Sequence, residues 1–290
     1  MSVWDSDHKV MRVFPRRTSY TPNDRLTFVG YPPLTEFRPS RNEGIDVHVS
    51  VCFTWDLPLA YRLRDAWNEY YFPCVKIGGP ALASPVHKSM PGLYVKPEVL
   101  FFSRGCNNNC PWCLVPMREG PLREMEPTIP AIRQNPIVQD NNLLQCSKEY
   151  LDKVFRMLTF CRGITFAGGL DSRLINDRVA DRIRGLHIKQ LFLSCDTRAS
   201  IRPLRKAVNK LRHLNRNQLR CYVLIGYDDK SISGATERLE EVWEAGCMPF
   251  AQLYQPPDRH IDYPQEWKDL NRTWERPAAM AALHKNSKGG

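Results

Sequence analysis

The stretch EVLFFSRGCNNNCPWCLVP, residues 98–116, decides how the rest of the chain is read. Its first six residues, 98–103, are a short apolar run of the kind that makes a buried strand. At its C-terminal end the strand delivers a loop carrying Cys106, Cys110 and Cys113 in CxxxCxxC order. In a chain with reduced thiols, such spacing reads as metal ligation before anything else. Three thiolates are one short of a closed tetrahedral zinc site or a fully protein-ligated four-iron cluster, and no second CxxC or HxxxH stands nearby. One metal vertex is therefore left open. The spacer Asn107 to Asn109 suits a tight loop, because Asn tolerates turn conformations. The other seven cysteines, Cys52, Cys74, Cys146, Cys161, Cys195, Cys221 and Cys247, are solitary and read first as small buried hydrophobes.

Downstream the pattern becomes periodic. PIVQDNN at 136–142 precedes a helix that Ser147 can cap, with Tyr150, Val154 and Leu158 on one stripe. The unit repeats as GITFAGG at 163–169 before a helix over 174–186, and as KQLFLSCDT at 189–197 before a helix over 201–214. LRCYVLIGY at 219–227 leads into a helix over 233–245 that Gly246 stops, and MPFAQLYQP at 248–256 is the sixth strand. Short strands alternating with helices of ten or more residues pair in parallel, as a doubly wound sheet or a barrel. Residues 1–95 read as a small α/β unit, with strands at 26–29, 46–53 and 74–77 and a helix over 59–70. Residues 257–290, an aromatic segment, an Ala-rich helix and a polar end, are set apart as a C-terminal extension.

Composition narrows the class. With 290 residues, 42% hydrophobic and 25% charged, the chain can bury an ordinary globular core. No run approaches the ~20 apolar residues of a membrane span, and the opening MSVWDSDHKV lacks the pattern of a secretory signal, so a cytoplasmic location is expected. Forty-one Lys and Arg against thirty-one Asp and Glu leave +10, which favours a polyanionic partner, although the excess is scattered and no nucleic-acid module is recognisable.

The CxxxCxxC loop after the first of six strand–helix units resembles the signature of the radical SAM enzymes, and Trp112 just before the last cysteine is frequent in that family. The resemblance implies an α/β fold: a partial (β/α)6 barrel over residues 96–256 behind the small N-terminal α/β domain. It implies a 4Fe-4S cluster on Cys106, Cys110 and Cys113, with S-adenosylmethionine chelated at the open iron. A one-electron donor such as flavodoxin or ferredoxin would then drive cleavage to a 5'-deoxyadenosyl radical that abstracts hydrogen from substrate. The N-terminal unit resembles a reduced form of the domain preceding the core in cobalamin-dependent relatives, but it has no DxHxxG, so cobalamin is not expected. The sequence VSVCFTWD, GGPA, DNN, AGGLD, YVLIGY and WERPAA resembles compact family members of bacteriophages, some of which remodel amino-acid groups on modified thymidines. That resemblance implies isomerisation or rearrangement of a DNA or nucleotide substrate in the host cytoplasm, with no membrane involved. A peptide- or small-molecule-modifying enzyme of the same family is the near alternative. A non-catalytic zinc or nucleic-acid-binding protein, its loop completed by a distant His such as His87, is the alternative of another class.

The resemblance also implies roles for residues at the strand ends. Asp140 and Asn142 resemble an Asp-Asp-Asn variant that receives the ammonium of S-adenosylmethionine. Gly168 and Gly169 would let backbone approach methionine or substrate, with Asp171 just beyond, and Arg173 would pair the carboxylate. Asp196 would contact ribose, Ile225 and Gly226 match the end of a GxIxG segment beside adenine, and Tyr254 and Gln255 would border the same ring. Arg118, Glu119 and Arg123 follow the loop in REGPLRE. Cys195 and Cys146 are the candidates to return a hydrogen atom. Each has a structural alternative: a helix cap for Asp140, a solvated helix face for Arg173, a packing role for Tyr254 and buried hydrophobes for both thiols. Tyr263, Trp267 and Trp274, interleaved with Arg272 and Arg276, read either as a stacking edge for an extruded base or as a packing helix.

Overall fold

The central strand of the N-terminal sheet is one that the apolar pattern does not announce. β1 (Val10–Phe14) carries Arg12 in its middle, yet it lies between β2 (Thr27–Val29) and β3 (Asp46–Ser50). Arg12 is tolerated there because its guanidinium is bound by Asp24 and Thr27. β4 (Lys76–Gly78) completes the order β2-β1-β3-β4, every pair parallel. α1 (Leu57–Tyr71) buries Ala60, Leu63 and Trp67, spaced on one helical face, with Met11, Val13, Val47 and Val49. The computed structural model describes residues 10–33, 45–71, 75–82, 91–126, 133–229, 231–256 and 259–286. The chain divides into the units Met1–Val99 and Leu100–Gly290.

The second unit holds a six-stranded sheet whose spatial order is its chain order: β5 (Val99–Leu100), β8 (Ile137–Val138), β9 (Arg162–Leu170), β10 (His187–Ser194), β11 (Leu219–Ile225) and β12 (Met248–Leu253). The pairs from β8 to β12 are parallel. A doubly wound sheet reverses its order at a switch point, and this one does not. Among the described residues β5 and β12 are not paired with each other, so the sheet is open. The crossovers are α3 (Lys148–Leu158), α4 (Asp177–Arg184), α5 (Ile201–Lys210) and α6 (Ile232–Glu244). Ser147, Asn176 and Ser231 cap three of them through their side chains. Alternate strand residues Leu191, Leu193, Cys221, Val223, Ile225 and Ala251 join Leu151, Val154, Leu204 and Leu239 in one core.

Three expectations are corrected. The run 98–103 is not one strand: after β5 the chain turns, and β6 (Ser103–Arg104) pairs antiparallel with β7 (Arg123–Glu124), a ribbon that brackets the cysteine loop and the short helix α2 (Val115–Glu119). Just past β6, Gly105 sits at φ +79, and a side chain on it would collide with the carbonyl of Pro121. PIVQDNN yields only two strand residues, because Asp140 leaves the ladder to bind Phe102 and Ser103. The C-terminal segment is not a separate extension: α7 (Gln265–Glu275) packs on β12, and Trp274 with Met280 of α8 (Pro277–Asn286) enters the common core. Tyr263 and Trp274 are buried and Trp267 is half-buried, so these rings pack the fold and present no stacking edge. No described helix is long and apolar enough to cross a membrane.

Candidate functional site

The cysteine loop is held by its own asparagines. The Asn107 amide donates to Gln145 Oε1 (2.8 Å) and its side-chain oxygen accepts from the Leu122 amide (3.0 Å). Asn108 donates through Nδ2 to Asp171 (3.1 Å) and accepts from Gln145 Nε2 (2.9 Å). The spacer therefore ties the loop to three segments as well as permitting its turn. Below it, Glu119 takes Arg104 (2.6 Å), the Gly105 amide (3.2 Å) and Asn141 Nδ2 (2.7 Å).

The three thiols are half-buried. Burial, then Cys113 and Cys106, push the Cys110 thiol above its ordinary range; burial, then Cys106 and Asp196, do the same at Cys113 against the Val115 amide. A bound cation would reverse that balance. Backbone N–H of Asn108 (3.4 Å) and Asn142 Nδ2 (3.9 Å) approach the Cys106 sulfur. Among the described residues no group of three or more His, Cys, Asp or Glu is drawn together tightly enough to hold one ion. A zinc ion needs its sulfurs within about 4 Å of each other, since each bond is about 2.3 Å. An iron–sulfur cluster takes each thiolate on a different iron and suits a more spread set. His87 and Cys74 lie outside the described residues.

Asp140 is turned into the protein. It is 2% exposed and accepts from the amides of Phe102 and Ser103 and from Ser103 Oγ (2.6 Å), a clamp on the backbone just before the cysteine loop. Burial, the largest influence, raises its carboxyl to about 6 against those hydrogen bonds. Gly168 serves the same crossing, for a side chain there would run into the Asp140 backbone carbonyl. Asn142, also buried, keeps its Oδ1 without a hydrogen-bond partner beside Cys106. Gly169 faces the Tyr222 ring, whose hydroxyl donates to the Ala167 carbonyl (2.8 Å).

Arg173 forms a two-point pair with Asp171 (2.9 and 2.6 Å), and its side chain remains largely exposed. Burial works against the Asp171 carboxylate, but Arg173, Asn108 and the Arg173 amide hold it below its ordinary range. Asp196 has a neighbour that sequence reasoning missed: burial raises its carboxyl, while the Leu224 amide, Arg238 and Trp112 of the motif act to lower it. Trp112 packs on Tyr227 (5.2 Å between centroids), and Tyr227 on Tyr254 (4.9 Å), so an aromatic row runs from the cysteine loop across the ends of β11 and β12. The loop tryptophan and the acidic strand end were each legible, their meeting was not.

Other candidates are turned into the protein or are engaged by neighbouring groups. Cys195 is 0% exposed, its thiol raised to about 12 by burial, and Cys146 is buried with the same rise; neither reaches an open site from the core. Ile225 is likewise a core residue, not a border of the strand-end site. Gly226 meets the Tyr263 hydroxyl, which donates to the Tyr254 carbonyl (2.9 Å). Gln255 is spent on Ile261, and Arg123 on the carbonyl of Glu119. Unforeseen too is the buried pair of Arg238 with Asp229 (2.6 Å), whose guanidinium also donates to the carbonyls of Cys195 (3.0 Å) and Leu224 (2.6 Å). It fastens the ends of β10 and β11 from which Asp196 projects.

No family model matches the chain, and no curated protein matches it significantly. Among solved structures it is similar to coproporphyrinogen III oxidase from Escherichia coli, a radical SAM enzyme, with 14% identity and a TM-score of 0.39 over 53% of this chain. The match spans 40% of that protein's length.

Proposed function

We propose that the chain is a radical SAM enzyme, with its six-stranded sheet curved as a partial (β/α)6 barrel and its site at the C-terminal strand ends. The observation that carries this reading is three half-buried thiols in CxxxCxxC order on one tethered loop. Bound there, a 4Fe-4S cluster with an open iron would supply an electron and a seat for S-adenosylmethionine, and with them hydrogen abstraction from carbon. Cys106, Cys110 and Cys113 hold it. The unpartnered Asn142 Oδ1 is an acceptor for the ammonium in place of Asp140, and Asp196, near Trp112, is one for ribose hydroxyls. Tyr227 and Tyr254 offer ring faces to adenine. Arg173, held by Asp171, keeps an exposed guanidinium edge for the carboxylate.

The reaction we favour is a rearrangement of a substrate carried on DNA or a nucleotide, such as an amino-acid-modified thymidine, with electrons from a flavodoxin or ferredoxin. The net charge of +10 supports a polyanionic partner. An open cleft of ≈ 500 Å³ is lined by Arg202 and Lys206 together with Arg198 and Arg205, the last two paired with Glu241 of the same cleft. The test is iron and sulfide content of anaerobically purified protein, with EPR after reduction, beside a variant with Cys106, Cys110 and Cys113 changed to Ala. Four irons lost in the variant, and a signal altered by S-adenosylmethionine, are expected. Stoichiometric zinc with no response to S-adenosylmethionine would refute the reading.

A further inference from the structure

Among the described residues three arginines are buried, and two of them have a carboxylate partner: Arg12 binds Asp24, and Arg238 binds Asp229. Arg220, on β11, has none. It is 8% exposed, and its Nε and Nη2 are buried without a hydrogen-bond partner. A guanidinium has five donors and no neutral form near pH 7, so it cannot escape burial by losing its proton. Burial without a counter-charge is costly and is normally relieved by pairing.

Its surroundings are aromatic. Leu219, Cys221 and Val223 point into the core shared with the helices, so Arg220 and Tyr222 project from the opposite face. There the Arg220 guanidinium carbon lies 5.5 Å from the ring of Phe192 on β10 and 5.4 Å from that of Phe250 on β12. Phe192 stacks on Tyr222 (4.6 Å), and Phe250 meets both rings edge-on (6.2 and 5.7 Å). Ring faces attract the cation but accept none of its N–H bonds in the plane of the fork. The unsatisfied donors are left for a ligand that is anionic, flat and able to accept two parallel bonds.

We propose that Arg220 is a carboxylate-binding subsite on the inner face of the sheet, and that the substrate carries a carboxylate held there. As a substrate subsite it rests on the proposed radical chemistry; as an anion site it does not. Five residues of strand at about 3.3 Å each place Arg220 roughly 17 Å along β11 from Ile225. The substrate is then an extended molecule, anchored by its carboxylate while its other end reaches toward the strand ends.

The experiment follows thermal midpoint against succinate at constant ionic strength, with inorganic phosphate as comparator, for wild type, Arg220→Lys and Arg220→Met. Succinate should stabilise wild type saturably, bind Arg220→Lys at least tenfold more weakly, and leave Arg220→Met unmoved. Without anion, Arg220→Met should melt above wild type, because an unpaired buried charge has been removed. No response in wild type, an equal response in Arg220→Met, or phosphate matching succinate would overturn the proposal. So would an anion-free Arg220→Met that melts below wild type, which would make the cation a structural partner of the rings. Iron content of Arg220→Met should match wild type, so loss of the cluster reading and loss of the subsite show in different measurements.

Discussion

Replacing Arg238 tests how the strand-end site is held. Its side chain is 0% exposed and its partner Asp229 is 2% exposed. The guanidinium makes two bonds to Asp229 and one each to the carbonyls of Cys195 and Leu224, while Asp229 also accepts from the Gly226 amide (3.1 Å). Arg238→Met fills similar volume but leaves a buried carboxylate without its counter-charge. Breaking a buried pair from one side costs about 3–5 kcal/mol. In a folding unit of this size each kcal/mol moves the midpoint by about 2–4 °C, so a fall of roughly 6–20 °C is expected in thermal unfolding followed by far-UV circular dichroism at pH 7. The double variant Arg238→Met/Asp229→Asn removes both charges and keeps an acceptor for Gly226, and it should recover at least half of the loss. A single-variant loss below about 1 kcal/mol, or a double variant as unstable as the single one, would refute the account of this pair as the fastening of β10 and β11.

Asp140 gives a pH signature. Its carboxyl is raised to about 6, so its protonated form is favoured by folding, and the stability it lends at low pH is lost as pH rises from about 4 to 6. Two units correspond to about 3 kcal/mol; wild type should lose about that much relative to Asp140→Asn between pH 4 and 7, and parallel profiles would contradict this. Asp171→Ala frees Asn108 and Arg173, and iron should then be stripped by a chelator about tenfold faster or more, as when a support behind a ligand loop is removed; unchanged stripping would show that the tether is idle. Gly168→Ala should cost about 1–3 kcal/mol or more by denaturant unfolding, since the clash is with backbone that cannot swing away. A neutral substitution there would mean that β9 and the Asp140 turn can separate.

The repeating strands and helices from 136 to 256 were legible because parallel strands buried on both faces appear as apolar runs, and because Ser147 and Gly246 mark helix ends locally. β1 was not, since Arg12 becomes acceptable only through Asp24, a partner outside the strand. Asp140 illustrates the same limit: its partners stand 37 and 38 residues away, and no local pattern distinguishes a clamp from a ligand. Cys195 and Ile225 could have been placed from the sequence by counting. Leu191 and Leu193 fix the phase of β10, and Cys195 falls on their face; Cys221 and Val223 do the same for Ile225. The polar residues in between, and those just past the strand ends, are the ones left for ligands.

The asparagine tethers of the cysteine loop bear on the order of assembly. In small metal domains the ion is what folds the chain, and chelation unfolds it. Here the loop is anchored to Gln145, Leu122 and Asp171 by protein bonds alone. On the proposed reading the tethers shape the loop independently of metal, and iron would be cargo fitted into a socket the polypeptide has already made. Loss of that cargo to oxygen or a chelator would leave a folded, refillable protein, and the lifetime of the chain and the lifetime of its metal would be set independently.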